Sequence, residues 1–170
     1  MASLTVGSPV SSRISPNLLG VGVIFAATAL TAAVGSLVTA PAVGGWYVEL
    51  PKPTWTPPSW VFGPVWTALY AMMAVAASVV WLARNRDDVC CPLTSFGVQL
   101  VLNLTWSLCF FGLQSPLLGF LDICLLWIMV ALTTAEFFLA SRLAGWLMVP
   151  YAAWVTFAAA LNAAIVFMNA

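Results

Sequence analysis

The sequence predicts an all-α integral membrane protein: five transmembrane helices in a single bundle, with a long loop between the first and second. Three observations carry that expectation. The chain is 63% apolar, with five basic and five acidic side chains in 170 residues and no His. Soluble domains carry about 25% charged residues, against 6% here, so this surface would not stay solvated in water. Five apolar runs separated by short breaks each approach the roughly 20 residues that a bilayer crossing needs. Finally, residues 46–70 hold four of the nine Trp and five of the eleven Pro. Proline fixes φ and removes a backbone donor, so the first half of this stretch cannot be one continuous helix. It reads as a rigid aromatic loop leading into a helix.

Residues 1–17 are rich in Ser and contain Pro9, Pro16 and Arg13, which predicts a disordered lead. Ser15-Pro16-Asn17 is a helix-start signal. The first span, about 18–40, is uncharged, and Gly22, Ala26, Ala29 and Ala33 form a stripe of small residues suited to close helix contact. The second span covers about 60–83, with Pro64 in its first turns, where a missing donor costs least. Arg84, Arg86, Asp87 and Asp88 close it in a charged turn. The third covers about 93–114, and a tight Ser115-Pro116 break separates it from the fourth, about 117–139. Arg142 marks the next turn, and the fifth span covers about 145–168. The short turns predict spans two and three, three and four, and four and five as antiparallel neighbours. Arg13, Arg84, Arg86 and Arg142 fall on the N-terminal side and Lys52 on the other. The positive-inside rule then predicts a cytoplasmic N-terminus and an outward-facing aromatic loop. A loop of this length in a compact protein is commonly a lid or binding loop.

Polar groups within spans usually face a bundle interior. On the third span Gln99, Asn103, Trp106 and Phe110 share a helical face. Phe62, Trp66, Tyr70 and Met73 do so on the second. Tyr151, Trp154, Ala158, Leu161 and Ile165 form a stripe on the fifth, with Asn162 beside it. On the fourth, Asp122, Leu126, Met129, Thr133 and Glu136 share a face whose acids fall near the helix ends, within reach of water. Each stripe is explained by helix packing alone. Together, three faces carrying aromatic and amide groups near a Trp-rich loop suit a pocket for a flat apolar ligand. Balanced charge leaves no basic patch for nucleic acid. Cys90 and Cys91 are adjacent, Cys109 and Cys124 sit in apolar runs, and without His no metal site is expected.

The run Trp46-Tyr47, Leu50, Lys52-Pro53, Trp55, Pro57-Pro58, Phe62, Pro64-Val65-Trp66-Thr67, Leu69-Tyr70 resembles the signature of the tryptophan-rich sensory protein or translocator protein family. Further matches follow in order at Gln99-Leu100, Leu102-Asn103, Trp106, Phe110-Phe111-Gly112, Asp122, Trp127, Pro150-Tyr151, Trp154, Phe157 and Leu161-Asn162. The resemblance covers residues 18–169. It implies a five-helix bundle, often a homodimer, whose pocket is closed by the loop between the first two spans. It also implies a bacterial cell membrane or an organelle membrane such as the mitochondrial outer one.

For function, the resemblance implies a membrane-embedded binding protein for tetrapyrroles such as protoporphyrin IX, acting in porphyrin sensing, buffering or transport. The alternatives are light-dependent porphyrin breakdown and a sterol transporter or scaffold. By motif position, Trp66 and Trp154 correspond to pocket tryptophans, catalytic only if the chemistry is photochemical. Asn103 corresponds to a ligand-bonding amide, Phe110, Ala158 and Leu161 to wall residues, and Trp46 and Tyr47 to the lid. Phe62 and Trp106 complete the candidate set from their own helical faces. No cofactor is covalently bound in this reading, and porphyrin is the ligand. Without His, the residues favour a metal-free macrocycle held by stacking. No basic residue follows Tyr151, and the weak sterol pattern requires one, so sterol binding of the animal type is not expected.

Overall fold

The computed structural model describes residues 15–83 and 90–169. The lead at 1–14, Arg13 included, and the charged turn at 84–88 lie outside them. Helix α1 spans Pro16–Gly44, short α2 Trp46–Glu49, α3 Ser59–Leu82 and α4 Cys90–Ser107. A π-helical turn, Leu108–Gly112, continues α4; α5 spans Pro116–Ala140 and α6 Arg142–Met168. All described regular structure is helical, and the five long helices are apolar enough to cross a membrane.

Local chemistry places the helix ends. The Ser15 hydroxyl accepts from the Leu18 amide, and Pro16 occupies the first turn, so α1 starts at the signal legible in the sequence. Ser115 caps α5 in the same way through Leu118, after Gln114 turns the chain at φ 52°. At its other end α1 runs past the expected boundary near residue 40, carrying Pro41 within its last turns. The expected long loop is therefore shorter and partly helical. Gly45 breaks the chain direction, α2 follows, and only residues 50–58 remain as an extended connection. Lys52 holds this lid together. Its ammonium donates to the carbonyls of Tyr47, Val48 and Leu50, neutralising the carbonyl-rich end of α2.

The spanning helices close into a ring in the order α1, α3, α6, α5, α4 and back to α1. Here the structure corrects an expectation. Helices α3 and α4 are consecutive, yet α3 is flanked by α1 and α6 and meets α4 only across the interior. Deep side chains carry that crossing, with Tyr70 against Asn103 and Gln99 against Met73. The small-residue stripe of α1 makes no close helix contact within this bundle. Gly22, Ala26, Ala29 and Ala33 are exposed, and a Cβ on Gly22 would meet nothing. The helix packs instead through Thr28, Gly35 and Ala42, two turns apart. The inward faces of α4 and α6 are as the sequence predicts. Gln99, Asn103, Trp106 and Phe110 are all buried, as are Tyr151, Ala158, Leu161 and Ile165. On α5 Asp122 and Glu136 are half-buried, and one oxygen of each is buried without a hydrogen-bond partner among the described residues.

Candidate functional site

Beneath α2 lies a cavity of about 540 Å³, within the range of small-molecule pockets. Three helices and the lid wall it. Helix α3 contributes Phe62, Trp66 and Tyr70 from one face, with Ser59, Gly63 and Thr67 along its edge. Helix α4 and its π turn contribute Asn103, Trp106, Ser107 and Phe111. Helix α1 supplies a smooth wall of Ala32, Gly35, Ser36, Thr39, Ala40 and Val43. Tyr47 of α2 forms the roof.

The rings form a continuous array. Trp66 lies 5.7 Å from Tyr70, 6.1 Å from Trp106 and 6.3 Å from Tyr151, centroid to centroid. Trp106 stacks on Phe110 at 5.7 Å, and Phe110 meets Phe111 edge to face at 4.8 Å. The π turn, inserting an extra residue into the helical ladder, lets Phe110 and Phe111 both bury themselves. Tyr47 rests on Phe62, Phe110 and Phe111 at 5.8–6.4 Å, and Lys52 covers its other side 4.7 Å from the ring centre. Burial pushes the Tyr47 phenol up to about 12, so the roof is neutral at physiological pH.

Two amides set the polar framework. The Tyr70 hydroxyl donates to the Asn103 carbonyl oxygen, and the Asn103 amide donates to the Tyr151 hydroxyl at 2.8 Å. An amide offers two N–H donors and two carbonyl lone pairs, so Asn103 keeps one of each for a bound molecule. The Trp106 indole donates to Asn162 at 3.2 Å, and Asn162 donates to the Pro116 carbonyl at 2.8 Å. This second chain braces α4, α6 and the start of α5 behind the cavity.

Of the residues singled out in the sequence, Tyr47, Phe62, Trp66, Asn103 and Trp106 line the cavity. The structure places the others behind it. Phe110 lies beneath the lid, with Trp46 against it at 5.8 Å. Ala158 and Leu161 are buried on α6, which contributes no lining residue. Trp154 faces Phe62 and Phe157 at 6.0 and 5.4 Å, with its indole N–H buried and unpartnered. Trp66 and Trp154 therefore do not form one facing pair; Phe62 packs against Trp154 on the far side of the cavity wall. Trp55 and Trp60 are exposed near the helix ends, as interfacial anchors are.

The α1 wall is what sequence reasoning missed. Ala32, Gly35, Ser36, Thr39, Ala40 and Val43 repeat at helical spacing, and that periodicity was the available signal. Small side chains carry little weight in a search for aromatic and polar groups. The helical spacing of α3 puts Tyr70 on the cavity face, but its bond to Asn103 depends on how α3 crosses α4.

Comparison with known proteins agrees with this architecture. The TspO/MBR family pattern matches residues 23–168. The chain is 46% identical over 136 residues to a protein named Tryptophan-rich protein TspO from Chlorobaculum tepidum, covering 79% of this chain and 86% of that one. It is 38% identical over 148 residues to Protein CrtK of Rhodobacter capsulatus, covering 86% and 91%. Over 119 residues it is 39% identical to the Translocator protein of Homo sapiens, covering 69% and 70%. With five apolar helices built around an aromatic cavity, the chain is a multi-pass membrane protein and belongs to the TspO/MBR family.

Proposed function

We propose that the chain is a membrane-embedded binding protein for a flat tetrapyrrole of the protoporphyrin IX type, serving its sensing, buffering or transport. One observation carries the reading. A cavity of about 540 Å³ presents the rings of Trp66, Trp106, Phe62 and Phe111 beside a single core amide, Asn103. Extended π faces suit a planar macrocycle, and one fixed amide orients it. The spare Asn103 N–H can meet a polar ring atom, while the Tyr70 oxygen retains acceptor capacity. Binding is favoured over photochemical breakdown because only Trp66 of the two candidate tryptophans faces the cavity.

Titrating protoporphyrin IX into the detergent-solubilised protein and following Trp fluorescence tests this. Trp66→Ala removes a stacking face worth about 1 kcal/mol and should weaken binding by roughly fivefold to tenfold. Trp154→Ala, behind the wall, should change affinity by less than about twofold. Unchanged affinity in the Trp66→Ala, Trp106→Ala double variant would remove this site from consideration.

A further inference from the structure

We propose that the cavity loads sideways from the bilayer, through a slit between α1 and α3, while the lid stays shut. The proposal rests on the binding reading above and adds the route. The aqueous end of the cavity is closed. Tyr47 is only 4% exposed, and its ring is packed against Phe62, Phe110 and Phe111. Lys52 ties three carbonyls of α2 and its connection together. The Asn169 side chain donates to the Pro51 carbonyl at 3.1 Å, fastening the connection to the end of α6. Opening this roof would break the ring contacts of Tyr47 and the Asn169 bond together, while the Lys52 bonds, internal to the roof, make it move as one piece.

The side is different. Among the residues lining the cavity, Ser36 and Ala40 of α1 and Ser59, Gly63 and Thr67 of α3 are exposed. They form two facing lips. A Cβ built on Gly63 meets no atom within 4 Å, so the α3 lip borders open space. Thr67 lies eight residues into α3, and Ser36 lies eight residues before the end of α1. At 1.5 Å per residue the slit reaches about 12 Å down from the helix ends. That depth spans the headgroup boundary and the outer part of a hydrocarbon core of about 30 Å. The lips match this position chemically. Ser36, Thr39, Ser59 and Thr67 offer hydroxyls, with no charged side chain lining the cavity among the described residues. An amphiphilic ligand can thus slide its ring face inward while its polar edge stays at hydroxyls and headgroups. Such a route suits a molecule that is already dissolved in the membrane.

The test uses the full chain in phosphatidylcholine nanodiscs, with protoporphyrin IX as probe and stopped-flow Trp quenching as readout. Gly63→Phe plugs the α3 lip. Ser36→Phe repeats the block from α1, where no following proline constrains the backbone. Both should slow association and dissociation, by about fivefold or more each, whereas a change confined to the binding wall would appear in dissociation alone. Gly97→Ala, outside the cavity and with open space around its added Cβ, should behave as the parent protein does. Lys52→Met, which loosens the lid, should leave the rates unchanged. A rate increase in Lys52→Met with unchanged rates in the blocked variants would overturn the route. Weakened affinity without slower exchange would make the lips part of the binding wall and overturn it equally. A second probe separates the route from the ligand. Phosphatidylcholine with brominated acyl chains should quench the Trp66 contribution, taken as the difference from Trp66→Phe, and Gly63→Phe should abolish that quenching. If protoporphyrin fails to bind while this quenching persists, the ligand assignment falls and the slit stands. If Trp66 is not quenched in the parent protein, the slit is closed to lipid and the proposal fails.

Discussion

Asn103 concentrates the residue-scale chemistry. It is 1% exposed and links three helices, accepting from Tyr70 of α3 and donating to Tyr151 of α6. Hydrogen bonds within membrane bundles average only about 0.6 kcal/mol, but an orphaned buried group costs about 1–3 kcal/mol. Asn103→Ala removes one amide and leaves two hydroxyls unpaired, one of them the fully buried Tyr151. The expected loss is about 2 kcal/mol in detergent unfolding. Tyr70→Phe deletes the partner itself and leaves only one lone pair of a carbonyl unfilled, so it should cost less. Equal losses in the two variants would mean that the amide is not the node of the network. A loss in Asn103→Ala below about 0.5 kcal/mol would free the residue for ligand binding alone.

At the scale of elements, the π turn does what a regular helix cannot. It places Phe110 beneath the lid and Phe111 at the cavity wall from adjacent positions. Helix α5 accommodates it through Gly119. A Cβ there would sit 2.8 Å from Phe110 Cδ2, 2.9 Å from Phe110 Cβ and 3.1 Å from the Asn162 carbonyl oxygen. Two of these atoms cannot swing aside easily, so Gly119→Ala should destabilise by about 1–3 kcal/mol despite alanine's better helix propensity. Gly97→Ala is the matched control, because its Cβ meets nothing within 4 Å. It should be neutral or slightly stabilising. Thermal unfolding of both variants checks the contrast, and equal melting temperatures would show that α5 yields at no cost. The π turn also marks where sequence reading stops. The inward faces of α4 and α6 were legible because their polar and aromatic residues repeat at helical spacing inside apolar runs. The extra residue of the π turn leaves no composition signal, since Leu108–Gly112 reads as ordinary apolar helix. The cavity's boundary was also illegible in part: Trp154 and Trp66 have equivalent patterns, and only the helix crossings decide that Phe62 stands between Trp154 and the cavity.

For the whole molecule, ring order matters more than chain order. Short turns join consecutive helices, yet α3 sits between α1 and α6, so α1 closes the ring by packing on both α3 and α4. It does so with little buried surface. Only 11% of the residues in its most apolar stretch are buried, against 44% for α3. Its fully buried residues are small, Thr28, Gly35 and Ala42, and near Gly35 the closest approach a Cβ would make is 3.5 Å, to the Ser107 hydroxyl. The helix that forms the smooth wall of the cavity is therefore the one held least firmly. Regions with few buried contacts open at lower free-energy cost than the rest of a fold. A ligand in the cavity adds contacts to α1 from Ala32 to Val43 and adds none to α5 or α6, which lie outside the lining. Protoporphyrin IX at saturation should slow amide exchange across 32–43 by roughly tenfold, equivalent to about 1.4 kcal/mol of local stabilisation. Exchange in the centres of α5 and α6 should hold nearly constant. Hydrogen exchange with mass detection reads both regions in one experiment. Uniform protection of every helix would mean that α1 is as tightly docked as the others. Protection confined to α5 and α6 would place the ligand on the opposite side of the bundle from the cavity beneath Tyr47.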